Sequence, residues 1–64
     1  MSMGWISVKD ELPAPLVDVL CTYDDGNSPK IVDRGWMFHS GEFMYEETYG
    51  KVTHWMPMPE PAED

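Results

Sequence analysis

Cationic side chains are scarce in this 64-residue chain: four Lys and Arg stand against twelve Asp and Glu, for a formal net charge of −8. Phosphate backbones are held by clusters of Lys and Arg, so the composition argues against direct nucleic-acid binding, and equally against an anionic membrane surface. Cysteine is almost absent. The single Cys21 cannot close an intramolecular disulfide, whereas secreted mini-proteins of this size usually carry several, so a reducing cytoplasm is the expected setting. No apolar run approaches the roughly 20 residues that span a bilayer, and no basic stretch followed by an apolar run marks a secretory signal. There is no internal repeat and no linker. The glycines at 26, 35, 41 and 50 form no phosphate-cradling motif.

What remains is rich in large apolar side chains. The hydrophobic fraction is 42% and the aromatic fraction 12%, which suits a folded globule and not a disordered tail. A chain this short buries only about 60% of the surface its unfolded form exposes. Trp5, Trp36, Trp55, Tyr23, Tyr45, Tyr49, Phe38 and Phe43, each able to bury roughly 150–250 Å², are therefore expected to supply the bulk of the core. The Trp-and-Pro blocks 5–13 and 53–61 bracket the chain. Burial of Trp5 and Trp55 together would tie the termini and make 5–61 one complete domain, with 1–4 and 62–64 as frayed ends.

The periodicity predicts strands. Val17 to Tyr23 alternates, with Val17, Val19, Cys21 and Tyr23 on one face. Asp24-Asp25-Gly26-Asn27 is a strong turn signal, because Asx side chains bond their own backbone. Lys30 to Phe38 reads as the next strand, with Val32, Arg34, Trp36 and Phe38 opposite Ile31, Asp33, Gly35 and Met37; Gly35 marks a bulge or a close approach. His39 to Glu42 reads as a tight hairpin connection into a strand at Phe43 to Glu46. The alternative there is one helical turn capped by Ser40, running through Glu47 and ended by Gly50. Lys51 to Met56 is a final strand, with Val52, His54 and Met56 opposite Thr53 and Trp55. Pro57, Pro59 and Pro61 favour an extended exit. The fold expected is mainly β: a single-domain antiparallel meander of three to four strands with extended termini and little or no helix.

The strings Trp5-Ile6-Ser7-Val8-Lys9-Asp10-Glu11-Leu12-Pro13 and Thr53-His54-Trp55-Met56-Pro57-Met58-Pro59-Glu60-Pro61 resemble a family of short phage and prophage proteins catalogued as domain of unknown function 551. The resemblance covers residues 5 to 61, specific at both ends and loose between them. It implies accessory cargo of temperate phages in a bacterial cytoplasm, and brings no catalytic residues or cofactor to transfer.

Chemistry is sparse. Cys21, His39 and His54 stand in no metal-ligand spacing, and Cys21 reads first as a small buried apolar residue. A Cys21–His54 pair has the right groups for nucleophilic catalysis, yet so small a chain leaves little room for a substrate pocket. No catalytic, cofactor or metal site is expected, and the protein is read as a non-enzyme. The leading expectation is a binding module that modulates a host protein with a basic surface. Asp24, Asp25, Asp33, Glu42, Glu46 and Glu47 would carry the field, with Tyr45 or Tyr49 as anchors. The alternatives are a self-associating structural protein, monomer against homodimer being open, and a small-ligand or metal binder using Cys21, His39 or His54. Met37, Met44, Met56 and Met58 suit either an adaptable surface or core gaps. The proline tail is expected to pack back onto Trp5 or Trp55 or to serve as a ligand itself.

Overall fold

The structure is a computed structural model, and it describes residues 4–62. The elements are β1 (Ile6–Ser7), β2 (Val19–Asp24), β3 (Ile31–Gly35), α1 (Glu46–Tyr49) and β4 (Lys51–Pro57). All strand pairings are antiparallel, in one four-stranded sheet ordered β1-β4-β2-β3. The protein is mainly β, as the alternation predicts, but its neighbours are not those of a plain meander. The chain leaves β1 for β2, turns back through β3, crosses one face of the sheet through residues 36–50, and returns as β4 into the slot between β1 and β2. Frayed ends were expected at 1–4 and 62–64; residues 1–3 and 63–64 lie outside the described residues, and Gly4 and Ala62 are exposed.

Alternation on β2 sets the inner face. Val19, Cys21 and Tyr23 are buried, and the residues between them are half-buried. Val17 does not join them. It is exposed, because the chain turns at Leu16, whose backbone is left-handed (φ 65°) and whose N–H donates to Met37 C=O at 2.8 Å. Met37, Phe43, Val52 and Trp55 complete the buried core. Three of the eight aromatics are thus buried, and Trp5, Phe38 and Tyr45 are exposed. The termini are tied as expected, through the Ile6–Trp55 pairing, but Trp55 alone is buried and Trp5 stays 41% exposed. The indole N–H of Trp55 donates to Glu11 C=O at 2.9 Å, pinning the Pro-rich loop beneath β4. The proline tail does not pack back: residues 57–62 are exposed.

Strict alternation fails on β4. Val52 and Trp55, expected on opposite faces, are both buried. The register explains it, since Thr22 faces His54 whereas Tyr23 faces Val52, leaving Thr53 as the extra residue of a β-bulge. The preferred strand at 43–46 is also overturned. The hairpin at 39–42 is present, with Phe38 N–H donating to Glu42 C=O at 2.7 Å, but pairing ends after the single Met37–Phe43 bridge. Tyr45 then turns left-handed (φ 70°) and the helical turn of α1 follows, ended at Gly50 and without Ser40 as its cap.

Two glycines fix how the layers meet. A Cβ at Gly35 would stand 2.6 Å from the hydroxyl of Tyr23, and one at Gly50 would stand 2.6 Å from the backbone of Asp25, at a φ of 104°. The close approach expected at Gly35 is therefore real, and its partner is a side chain. Gly35→Ala should cost about 1–3 kcal/mol by overpacking, and Tyr23→Phe in the same chain should recover part of that loss. Gly50→Ala meets rigid backbone as well as backbone strain and should cost more than about 3 kcal/mol. Urea denaturation of the set, read as a double-mutant cycle for the first pair, checks both.

Candidate functional site

The segment that crosses the sheet forms a half-open hollow of about 490 Å³, bounded by Phe38, Glu42, Met44, Tyr45, Glu47, Thr48 and Lys51 with Phe43 and Glu46 deeper in its wall. Phe38 and Tyr45 are 38% and 40% exposed. The carboxylates of Glu42 and Glu47 take no hydrogen bond from a described residue. Tyr45 occupies a backbone position that glycine or asparagine would favour, and its C=O nonetheless starts α1 by accepting from Tyr49 N–H at 2.8 Å.

The remaining acids expected to attract a partner have internal roles. Asp24 Oδ1 accepts from Gly26 N–H at 2.8 Å; Asp25 Oδ1 accepts from Asn27 and Ser28 N–H at 2.8 and 2.9 Å. Both carboxylates build the β2–β3 turn, and the bonds from Asn27 and Ser28 hold the Asp25 carboxyl below its ordinary range. Asp33 is half-buried on β3 and accepts from Arg34 N–H at 2.7 Å. Glu46 bridges two elements, with one carboxylate oxygen accepting from Phe43 N–H at 3.1 Å and the other from Val52 N–H at 2.9 Å. It thereby ties the crossing segment to the start of β4. Tyr49 is half-buried and stands edge-on to Tyr23, with centroids 5.2 Å apart, while Tyr45 leans on Tyr49 at 5.4 Å. Of the eight predicted residues, the hollow gathers Glu42, Tyr45, Glu46 and Glu47; Asp24 and Asp25 lie at a separate turn. Phe38, Phe43, Thr48 and Lys51 were not among the expected site residues, and Met44 was expected either here or in a core gap. Phe38 was within reach of the reasoning, since it shares its alternation with the outward-facing Val32 and Arg34.

The three residues considered for metal or nucleophilic chemistry are not brought together. Cys21 is sealed in the core at 0% exposure. His54 lies opposite Thr22, the neighbour of Cys21 on β2, and so on the other face of the sheet. His39 sits on the exposed 39–42 turn. Among the described residues no group of three or more His, Cys, Asp or Glu is placed to hold a metal ion. No helix among them is long and apolar enough to cross a membrane.

Comparison with known proteins yields one match. The family model described as protein of unknown function (DUF551) fits residues 4–63. No curated protein and no solved structure matches the chain.

Two expectations follow from the buried groups. Glu46→Gln replaces an acceptor of two backbone N–H groups by an amide that offers only one oxygen, and should cost about 1–3 kcal/mol in urea denaturation. Burial raises the Cys21 thiol above its ordinary 9.0 and the Tyr23 phenol above its ordinary 10.0. The unfolded chain then loses these protons at lower pH than the folded one, so the contribution of these two groups is complete below pH 9 and declines as pH rises beyond it. Tyr23→Phe should flatten the part of that decline above pH 10. In the native protein, Cys21 should react with a thiol reagent only at the rate of opening.

Proposed function

The chain belongs to the DUF551 family, and we propose that it is a non-enzymatic binding module that docks on a basic, apolar-bearing protein surface through the hollow of Phe38, Tyr45, Glu42 and Glu47. The observation that carries this reading is the left-handed Tyr45. A bulky ring is held, at a backbone cost of roughly 1–2 kcal/mol, in a half-open hollow that Glu42 and Glu47 also line, and neither carboxylate bonds a described residue. Exposed aromatics within a charged rim are the usual anatomy of a protein-binding patch. The partner we propose is a host protein in a bacterial cytoplasm, with the chain as a phage or prophage accessory protein. That setting draws on the Trp-and-Pro end blocks and on the net charge of −8, which would speed encounter with a cationic partner.

The test is capture from bacterial lysate on the tagged protein, eluted in salt steps and compared with two variants. Tyr45→Gly removes the anchor while relieving the backbone, so its stability should stay within about 1 kcal/mol of the parent. It should nonetheless speed dissociation of the captured partner about tenfold or more. Glu42→Lys with Glu47→Lys should slow association several-fold, the more so at low salt. A partner retained equally by all three proteins would refute the assignment of this face. A second reading, self-association, draws on the unpaired outer edge of β3; sedimentation at micromolar concentration distinguishes a monomer from a strand-paired dimer.

A further inference from the structure

The other face of the sheet carries charge of the opposite sign. Ser7 pairs with His54, His54 with Thr22, and Thr22 with Val32. One row of side chains thus runs across all four strands on the side away from the core. Trp5, at 41% exposure, and Lys30 join His54, Thr22 and Val32 around a hollow of about 390 Å³. Arg34 lies one row along on the same face, opposite Leu20. Two of the chain's four Lys and Arg therefore stand here, and neither side chain pairs with a described residue. Among the described residues no carboxylate lines the hollow. Asp24, at the end of β2, bonds Gly26 N–H in its own turn, and Lys30 and Arg34 together outnumber it on this face.

These groups fit one class of small molecule. The exposed indole of Trp5 offers a stacking surface for a flat ring. Lys30 supplies the charge an anionic group requires, with Arg34 near enough to add to the field. The Thr22 hydroxyl and the Nε2 of His54, which bonds no described residue while Nδ1 is engaged with the Thr53 hydroxyl at 3.0 Å, supply hydrogen bonds to the ligand. We infer that this face binds a small planar anion of the nucleoside monophosphate class. A polymer is disfavoured by the chemistry of the whole molecule. Many phosphates in a row would meet the field of a chain at −8, whereas a single phosphate meets chiefly the two local cations.

The test is an amide-resolved NMR titration of the full chain with adenosine 5′-monophosphate, and in parallel with adenosine, inorganic phosphate and an oligothymidylate. The nucleotide should shift Trp5, Thr22, Val32 and His54 with submillimolar affinity, and both adenosine and phosphate should bind at least about tenfold more weakly. Trp5→Ala and Lys30→Ala should each weaken the nucleotide about tenfold, while Trp5→Phe retains most of the affinity. Val32→Glu places a carboxylate in the hollow at a side chain that is 56% exposed, and should abolish binding while thermal unfolding stays close to the parent. Failure to shift these amides at millimolar nucleotide overturns the inference, as does binding indifferent to Trp5→Ala and Lys30→Ala. Phosphate alone binding as tightly as the nucleotide would leave only a simple anion site. An oligothymidylate binding more tightly than the mononucleotide would reassign the face to single strands.

Discussion

The position of Trp55 in the middle of the sheet is the constraint from which the rest of the molecule follows. Its backbone is the cross-strand partner of Ile6 on one side and Cys21 on the other, and its ring is buried while the indole N–H holds Glu11 C=O. A single residue thereby fixes the N-terminal strand, the central pair and the proline-bearing loop. Hydrophobic burial alone would place an aromatic near this point without specifying its partners. The directed bond to Glu11 adds the specificity, since a buried indole N–H left unpaired would cost roughly 1–3 kcal/mol.

A second economy concerns the acids. The chain is strongly anionic, yet Asp24, Asp25, Asp33 and Glu46 all spend carboxylate oxygens on backbone N–H groups. The β2–β3 turn and a layer junction are built this way by Asp24, Asp25 and Glu46, where regular ladders give out and backbone donors would otherwise lack partners, while Asp33 bonds its neighbour's N–H within β3. A carboxylate bonded in this way keeps its charge, so these acids still add to the field of a chain at −8 while their oxygens are committed to the fold. Around the two hollows the charge is unevenly distributed, with Glu42, Glu47 and Lys51 beside the crossing segment and Lys30 and Arg34 on the opposite side of the sheet. A thin sheet with one covered face gives a small protein two chemically distinct surfaces.

The legible parts of the sequence were those governed by period two and by turn chemistry. Val19, Cys21 and Tyr23 alternate without interruption and are buried as a set, and Asp24-Asp25-Gly26-Asn27 forms its turn through the Asx bonds its composition suggests. Gly35 announced a close approach, although only the fold reveals the Tyr23 hydroxyl as the neighbour. The illegible parts were those where one residue breaks the period. Thr53 bulges out and brings Val52 and Trp55 to the same side, and nothing local in Lys-Val-Thr-His-Trp distinguishes that from a regular strand. The segment 43–46 carries β-favouring aromatics, but Glu46 satisfies the donors at 43 and 52 together, a pairing of one side chain with two backbone groups that the alternation does not encode. The candidate hollow was half visible. Glu42, Tyr45 and Glu47 were named from charge and aromaticity, whereas their separation from Asp24 and Asp25 depends on how the crossing segment lies over the sheet.

The strand at the centre of the sheet is the last of the four to be synthesised. Until Lys51–Pro57 has left the ribosome, β1 has no neighbour and Ile6 no partner, and β2 with β3 is an isolated hairpin, which is marginal in water. The pairing of residues near both ends also makes folding wait on closure of nearly the whole chain, the slow kind of search. A nascent or prematurely terminated product should therefore carry no half-formed domain. It exposes its strands to proteases instead, and a single event, the insertion of β4 between β1 and β2, turns an open chain into the four-stranded sheet.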